Sequence, residues 1–571
     1  MLTGIQAVCD LRGGPASGSD AVKLGLQAGD GAFAGTAVDS TGTGAAHAFH
    51  TSERVTLMTG HAEGLADDHN CPAKSGDLPM AARIGRLLDR YGASLPARLA
   101  GEWLLVDWQP GRLRIVQSLA RHDWLFVAQA RGRVALASDL AKLTTLDWIS
   151  RDLDSQGFAA AMGRGALRER APRRSIVPGV ERLEPGAFWE LTIDRTRRET
   201  CDWPAPEPWS GTFPQAVEAA SARLDMIARE RMARSGGKAI MLSGGLDSSL
   251  LAQALCAAAP DRAKLFCVTS VATDGSGIGD ERAYAGAVAQ HLSLQQSWVV
   301  PRPGICVYRP DPEAYQIAGG PSLSVRHYLM RALAEAARTG GAATSFDGGF
   351  GELTLTSYMP LATWAWRLRQ TVKAAIRPDT GAMISPVHVR LAPHRLAALR
   401  SELGEVTANQ IPQNGWRRRG ERWGYFPGVA KAMSLPTARD FGTRAEYPFR
   451  DPRLLSLFAG FPADYLVQGG LNRAPARAML AGRLPEHIRL RRTNGPFSPD
   501  YMTRIRADAP AALARLPLFR RAGCDDWLDL TWLESALASL PQTAEPSIAH
   551  AFEVQLTAMA AEFLVWWRRA E

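Results

Sequence analysis

The sequence predicts an α/β protein in two parts: an antiparallel, β-rich unit over residues 1–202, then a parallel-sheet unit over residues 203–571 that ends in helices. Three observations carry this. Up to about Asp194, short apolar runs alternate with glycine-rich turns, the pattern of a meander. From Phe213 a helix, a short apolar strand, a second helix and a second strand follow in order, the pattern of a parallel sheet. Between the two, Trp203-Pro204-Ala205-Pro206-Glu207-Pro208-Trp209 is too rich in proline for a ladder or a helix and marks the boundary.

The meander strands read as Leu104 to Trp108, Leu113 to Val116, Leu125 to Ala128 and Val134 to Ala137. Beyond the boundary come a helix from Phe213 to Arg234, a strand from Lys238 to Leu242, a helix from Ser249 to Ala259 and a strand from Leu265 to Ser270. Ligands of such a sheet sit at the carboxyl ends of its strands. The chain from Ala314 onward has helical patches, Tyr328 to Arg338 and Val554 to Arg569 among them, broken by proline-rich turns. The stretch from Met359 to Thr443 sets Trp364, Trp366, Trp416 and Trp423 among many arginines and reads as an insertion. Tryptophans at this density are more often packing than binding residues, with a substrate wall as the alternative.

At 571 residues and 46% hydrophobic content the chain can bury several cores. The net charge of +9 comes from dispersed arginine, with Arg417-Arg418-Arg419 the densest run, so no nucleic-acid partner is expected. Seven cysteines lie far apart without a C-x-x-C pair, which fits reduced thiols in a cytoplasm. The sequence shows no secretory signal pattern and no continuous apolar run of membrane-spanning length, so no membrane segment is expected.

The chemistry concentrates in Ser243-Gly244-Gly245-Leu246-Asp247-Ser248, where a strand runs straight into a helix. Such a turn offers backbone N–H groups, hydroxyls and the positive end of a helix dipole to a phosphate. Asp247 would repel bare phosphate, so its use there requires a Mg²⁺ shared with the phosphate oxygens. The loop has no Walker-type lysine.

This loop resembles that of the asparagine synthetase group of ATP-pyrophosphatases, which cleave ATP to AMP and pyrophosphate, and further segments agree in order. Gly101-Glu102-Trp103-Leu104 through Ala120-Arg121-His122-Asp123 is similar to part of that group's glutaminase domain. Val177-Pro178-Gly179-Val180 and Leu183-Glu184-Pro185-Gly186 are similar to its end. Asp280-Glu281-Arg282-Ala283 with Val288-Ala289, Tyr447-Pro448-Phe449-Arg450-Asp451, and Leu484-Pro485 to Phe497 follow the synthetase half. The resemblance implies a glutaminase-like domain over 1–202 and an ATP-pyrophosphatase domain over 203–571. In that frame Ser243, Gly244, Gly245, Ser248 and Gly348 hold pyrophosphate, while Leu242, Val268 and Ser270 lie where adenine and ribose bind. Asp247 holds Mg²⁺, Asp347 sits near the reacting carboxylate, and Glu281 contacts phosphate or substrate. Asp280 is either a second such contact or a helix cap.

The chain departs from the group in three places. Leu2 stands where glutamine-hydrolysing members carry the nucleophilic cysteine, so the N-terminal domain is expected to be inactive. In Ser345-Phe346-Asp347-Gly348-Gly349-Phe350-Gly351-Glu352 the second metal carboxylate of the group meets Phe350, and an inserted residue would bring Glu352 into that role. The group's catalytic lysine aligns with Asn494, leaving Arg492, Arg491 or Arg473 to supply the charge. With these departures the chain looks most like the lasso peptide cyclases. That likeness implies adenylation of an Asp or Glu side chain in a precursor core peptide, closure of a macrolactam on the peptide's own amine, and a leader peptidase and leader-binding protein as partners. A small-molecule amide synthetase and a nucleotide-binding scaffold are the alternatives.

Overall fold

The computed structural model describes residues 4–10, 33–38, 46–51, 53–65, 79–121, 124–163, 173–201, 206–259, 261–276, 278–301, 305–321, 324–355, 387–403, 443–492, 495, 498–543 and 546–569. Residues 203–205 of the proline-dense boundary, and 359–386 and 404–442 of the tryptophan-rich stretch, lie outside them. So do Leu2, His122, Asp123 and Asn494.

Eleven described strands open the chain: β1 (Gly4–Asp10), β2 (Phe33–Val38), β3 (Ala46–His50), β4 (Val55–Leu65), β5 (Leu99–Gln109), β6 (Arg112–Gln117), β7 (Phe126–Ala130), β8 (Arg133–Ala137), β9 (Val180–Arg182), β10 (Ala187–Thr192) and β11 (Thr196–Thr200). They form two antiparallel sheets, ordered β2-β1-β8-β7-β9 and β11-β10-β6-β5-β4-β3. The side-chain period of two explains why β5 carries almost no polar alternation. Leu104, Val106 and Trp108 point into the core between the sheets, while Trp103 and Leu105 point the other way onto helix α1 (Met80–Tyr91). Phe126, Ala128, Ala135 and Ala137, on the outer face of the other sheet, join the large core of the C-terminal helices.

One buried anion ties α1 to its sheet. Asp107 on β5 is 1% exposed. It accepts from Arg54 Nε at 2.7 Å, Arg114 Nη2 at 2.5 Å and Thr56 Oγ1 at 2.8 Å, and the same arginines reach Asp89 of α1.

The second part is a five-stranded sheet of β12 (Gly237–Met241), β13 (Leu265–Ser270), β14 (Gln295–Val299), β15 (Ala342–Asp347) and β16 (Arg444–Glu446). Its order is β14-β13-β12-β15-β16 and every pairing is parallel. Successive residues of β12 serve opposite faces. Ile240 packs in one core with α2 (Phe213–Met232), α3 (Leu246–Ala258) and α4 (Arg282–His291), whereas Ala239 packs against Ala337 of α5 (His327–Thr339). The fold is therefore mixed α/β, with an antiparallel sandwich followed by a parallel sheet covered on both faces.

Helices α6 (Tyr501–Leu513), α7 (Leu530–Ser539) and α8 (Ile548–Arg569) complete it. Among the described residues α8 is the one helix long and apolar enough to cross a membrane by length and composition, and 67% of its apolar window is buried in the protein. Tyr315 Oη donates to the Met559 carbonyl of α8 at 2.8 Å, and its ring stacks on Trp566.

Replacing Asp107 by alanine would leave two arginines inside without their shared anion, a loss of about 3–5 kcal/mol. We expect Asp107→Ala to lower the melting temperature by several degrees; an unchanged melt would show that Asp107 does not hold this part together.

Candidate functional site

Parallel pairing puts the ends of β12 and β15 level, with Met241 opposite Asp347. The turn after β12 and the loop after β15 therefore emerge side by side. Helix α3 starts at Leu246, three residues earlier than the sequence suggests, so the serine and glycine turn runs directly into its first N–H groups. Ser243 and Ser248 join their hydroxyls at 2.9 Å, and Ser248 Oγ donates to the Gly245 carbonyl at 3.1 Å. Gly244 has φ +69°, and a Cβ there would lie 2.5 Å from Ala285 N and 2.6 Å from Tyr284 Cβ at the start of α4. Only glycine accepts that conformation and that approach together.

A cavity of about 420 Å³ opens over these strand ends. Ser243, Gly245, Asp247 and Ser248 line one side, Asp347, Gly348 and Glu352 another, and Leu242, Val268 and Ser270 a third; Glu281 also faces it. The two loops touch so closely that a Cβ on Gly351 would lie 2.6 Å from Asp247 Cγ. Gly244 stands behind the lining, as the hinge of the turn.

Burial pushes the Asp247 carboxyl up to about 6, with Glu352 adding to the effect. Arg473, whose Nη1 donates to Asp247 Oδ1 at 2.6 Å, only partly offsets it. Burial likewise pushes Asp347 up to about 6, although the Gly349 N–H donates to its Oδ1 at 2.7 Å. Phe350 adopts φ +68° and turns away from the cavity, packing edge-on against Tyr447, and it is Glu352 that lines the cavity.

Arg492 corrects the sequence reading. It is exposed and is not among the lining residues, because the chain presents the neighbouring Arg491 inward. Arg491 Nη2 donates to Glu281 Oε1 at 2.8 Å, and its guanidinium lies 3.7 Å over the Tyr284 ring. The guanidinium beside the loop is Arg473, at the start of the short helix Ala474–Met479. Asp280 takes the capping alternative: it accepts from Ala272 N at 2.9 Å and Arg282 N at 3.1 Å and does not line the cavity. Sequence reasoning missed Arg326 and Leu333, which line the cavity from α5 and its preceding turn. No motif marks either, and only the placement of α5 over the strand ends brings them in.

Among the described residues no group of three or more His, Cys, Asp or Glu side chains has metal-site geometry. Two carboxylates, Asp247 and Glu352, nevertheless suit Mg²⁺, which keeps several waters and takes further oxygens from phosphate.

A family model described as Asparagine synthase matches residues 220–424 and 437–563, more than half of the chain. The chain belongs to the asparagine synthase family. Membership makes this asparagine synthase relative an ATP-using ligase of the amide-forming class. No curated protein matches its sequence significantly. Similar solved structures include the glutamine phosphoribosylpyrophosphate amidotransferase of B. subtilis with ADP and GMP, at 10% identity and TM-score 0.19, covering 63% of this chain and 76% of that one. A glutamine-dependent NAD+ synthetase from Acinetobacter baumannii with ADP is similar at 19% identity and TM-score 0.18, over 30% and 31% of the two chains. An allosteric regulatory enzyme of purine biosynthesis is similar at 8% identity and TM-score 0.18, over 65% and 72%. Likenesses this slight carry no argument about the site.

Two expectations follow from the geometry. Gly244→Ala should weaken binding of an ATP analogue by about tenfold or more while the protein still melts cooperatively, since an L-residue at positive φ costs about 1–2 kcal/mol before any clash; calorimetric titration checks this, and unchanged affinity refutes it. Asp247 and Asp347 bind protons more tightly folded than unfolded between their ordinary 3.8 and about 6, so the ligand-free protein loses stability as pH rises through that window. A magnesium–nucleotide ligand needs the ionised carboxylates, so its stabilising shift in melting temperature should be small at pH 5 and full by pH 7. A full shift already at pH 5 would contradict the assignment.

Proposed function

We propose that this chain is a lasso peptide cyclase: it adenylates an Asp or Glu side chain of a precursor core peptide with ATP, releases pyrophosphate, and closes a macrolactam on the peptide's N-terminal amine with release of AMP. The observation that carries the reading is the meeting of the Asp247 turn with the Asp347–Glu352 loop over the ends of β12 and β15. In the first step the substrate carboxylate attacks the α-phosphorus. The turn N–H groups and the α3 N-terminus face the pyrophosphate charge as it develops. Magnesium, held by Asp247 and Glu352 with the phosphates, would supply charge neutralisation. In the second step the amine attacks the acyl carbon and must lose a proton. Asp347, pushed up to about 6, is suited to accept it near neutral pH. Arg473 is the cation closest to this chemistry, since it already touches Asp247.

A peptide rather than a small substrate is favoured by where the tryptophan- and arginine-rich stretch joins the fold. It departs just after Leu355, at the end of the carboxylate loop, and returns at Thr443, whose Oγ1 accepts from Ser345 Oγ of β15 at 3.1 Å. Both its ends are therefore rooted beside the cavity. A folded core peptide held there would bring amine and acyl-adenylate together, and such proximity is worth several kcal/mol. Because the amine is freed only when a leader is removed, a leader peptidase and a leader-binding protein are the partners this reading requires.

The test is mass spectrometry of a precursor incubated with the protein, ATP, Mg²⁺ and a leader peptidase. The core peptide should lose one water in step with AMP formation, and Asp247→Ala should abolish both. An unchanged peptide mass, with AMP appearing when small amino acids are supplied, would replace the cyclase by a small-molecule amide synthetase. Binding of ATP without AMP or pyrophosphate would leave a scaffold.

A further inference from the structure

The antiparallel sandwich and the parallel sheet meet at a buried charge cluster that the proposed reaction does not use. Glu102 of β5 places its carboxylate 3.7 Å from Arg444 of β16. Arg444 pairs with Glu446 at 3.2 Å, and Glu446 pairs in turn with Arg231 at 3.5 Å and with Arg234. Glu102, Arg444, Glu446 and Arg231 are all buried. His61, opposite Glu102 in the β4–β5 register, stays neutral, because burial and the Arg234 and Arg444 charges push it down to about 2. The sandwich therefore contributes one anion to a contact dominated by arginines.

The cluster continues toward the cavity. Arg450, 1% exposed, shares electrostatic contact with Glu102, and its guanidinium lies 5.0 Å from the centre of the Phe350 ring. Phe350 is a bulky residue held at φ +68°, a conformation that persists only where the surroundings impose it. Tyr447 supplies one side of that enclosure at 5.5 Å and Arg450 another. Thr354 Oγ1 donates to the Phe449 carbonyl at 2.6 Å, which fastens the far end of the same loop to the turn bearing Arg450. Phe350 stands between Asp347 and Glu352 in the chain, so its backbone conformation fixes their relative aim.

We infer that Arg450 is a positioning residue that clamps Phe350 and thereby sets Asp347 and Glu352, and that Glu102, across the contact between the two parts, holds Arg450 in place. The inference rests on the proposed function only for what the two carboxylates do. It gives the N-terminal sandwich a task without chemistry of its own: it completes the enclosure of the carboxylate loop.

The experiment uses the full chain with Glu102→Gln, Arg450→Lys and the double substitution. It reads Mn²⁺ binding in the presence of a non-hydrolysable ATP analogue, together with kcat and KM for AMP formation. Each single variant should weaken Mn²⁺ binding about fivefold or more and lower kcat about tenfold, with KM for ATP within about twofold. The double variant should be no worse than Arg450→Lys, because both act through one path. Variants that melt cooperatively and bind Mn²⁺ as the unaltered chain does overturn the inference. Should Arg450→Lys fail to fold, Glu102→Gln decides alone, and loss of a cooperative melt in both variants would assign the cluster to stability and also overturn it. An unaltered chain that binds Mn²⁺ and nucleotide but never forms AMP would sink the proposed function while leaving this test, which reads binding, intact.

Discussion

Carboxyl groups of like charge do not gather in a dry cavity unless the protein forces them together, and the geometry of this site is the forcing device. Asp247, Asp347 and Glu352 share one space at the strand ends. Their mutual repulsion and the loss of water are why Asp247 and Asp347 are pushed up to about 6. One guanidinium, Arg473, bonds to Asp247, and it does not cancel the effect of burial. The arrangement is thus short of positive charge in the ligand-free state. A divalent cation arriving with a polyphosphate supplies that charge and loosens the hold of protons, which links metal, nucleotide and pH in one equilibrium.

The remaining structure serves that proximity. Parallel register levels β12 with β15, so two turns separated by about a hundred residues in the sequence emerge adjacent. Glycine backbones then let them touch: Gly351 lies against the Asp247 side chain, and Gly244 lets the turn settle on α4. Arg491 holds Glu281 toward the cavity from the other side. None of these contacts is strong alone, yet each removes a direction in which the carboxylates would relax apart.

Much of this was legible in the sequence, for identifiable reasons. The Ser243–Ser248 string is local, and strand, turn and helix are contiguous there, so its placement needed no tertiary information. The strand from Leu265 to Ser270 was visible because an apolar run buried on both faces has no competing period. What was not legible depended on distant packing. Arg491 and Arg492 are adjacent and chemically identical, and only the Tyr284 ring and Glu281 carboxylate waiting on α4 decide which one turns inward. Arg326 and Leu333 enter the site through the docking of α5, for which no motif exists. Arg450 lay within a recognisable string, but its contact with Phe350 is set by side-chain packing that spacing does not encode.

The central claim is that this cavity makes an acyl-adenylate, and oxygen-18 transfer tests it without reference to which amide forms afterwards. A precursor peptide with an ¹⁸O-labelled side-chain carboxylate, turned over with unlabelled ATP, should deliver one ¹⁸O atom to AMP, because the carboxylate oxygen that attacks the α-phosphorus leaves with it. Unlabelled AMP, or label appearing in inorganic phosphate beside ADP, would contradict the account.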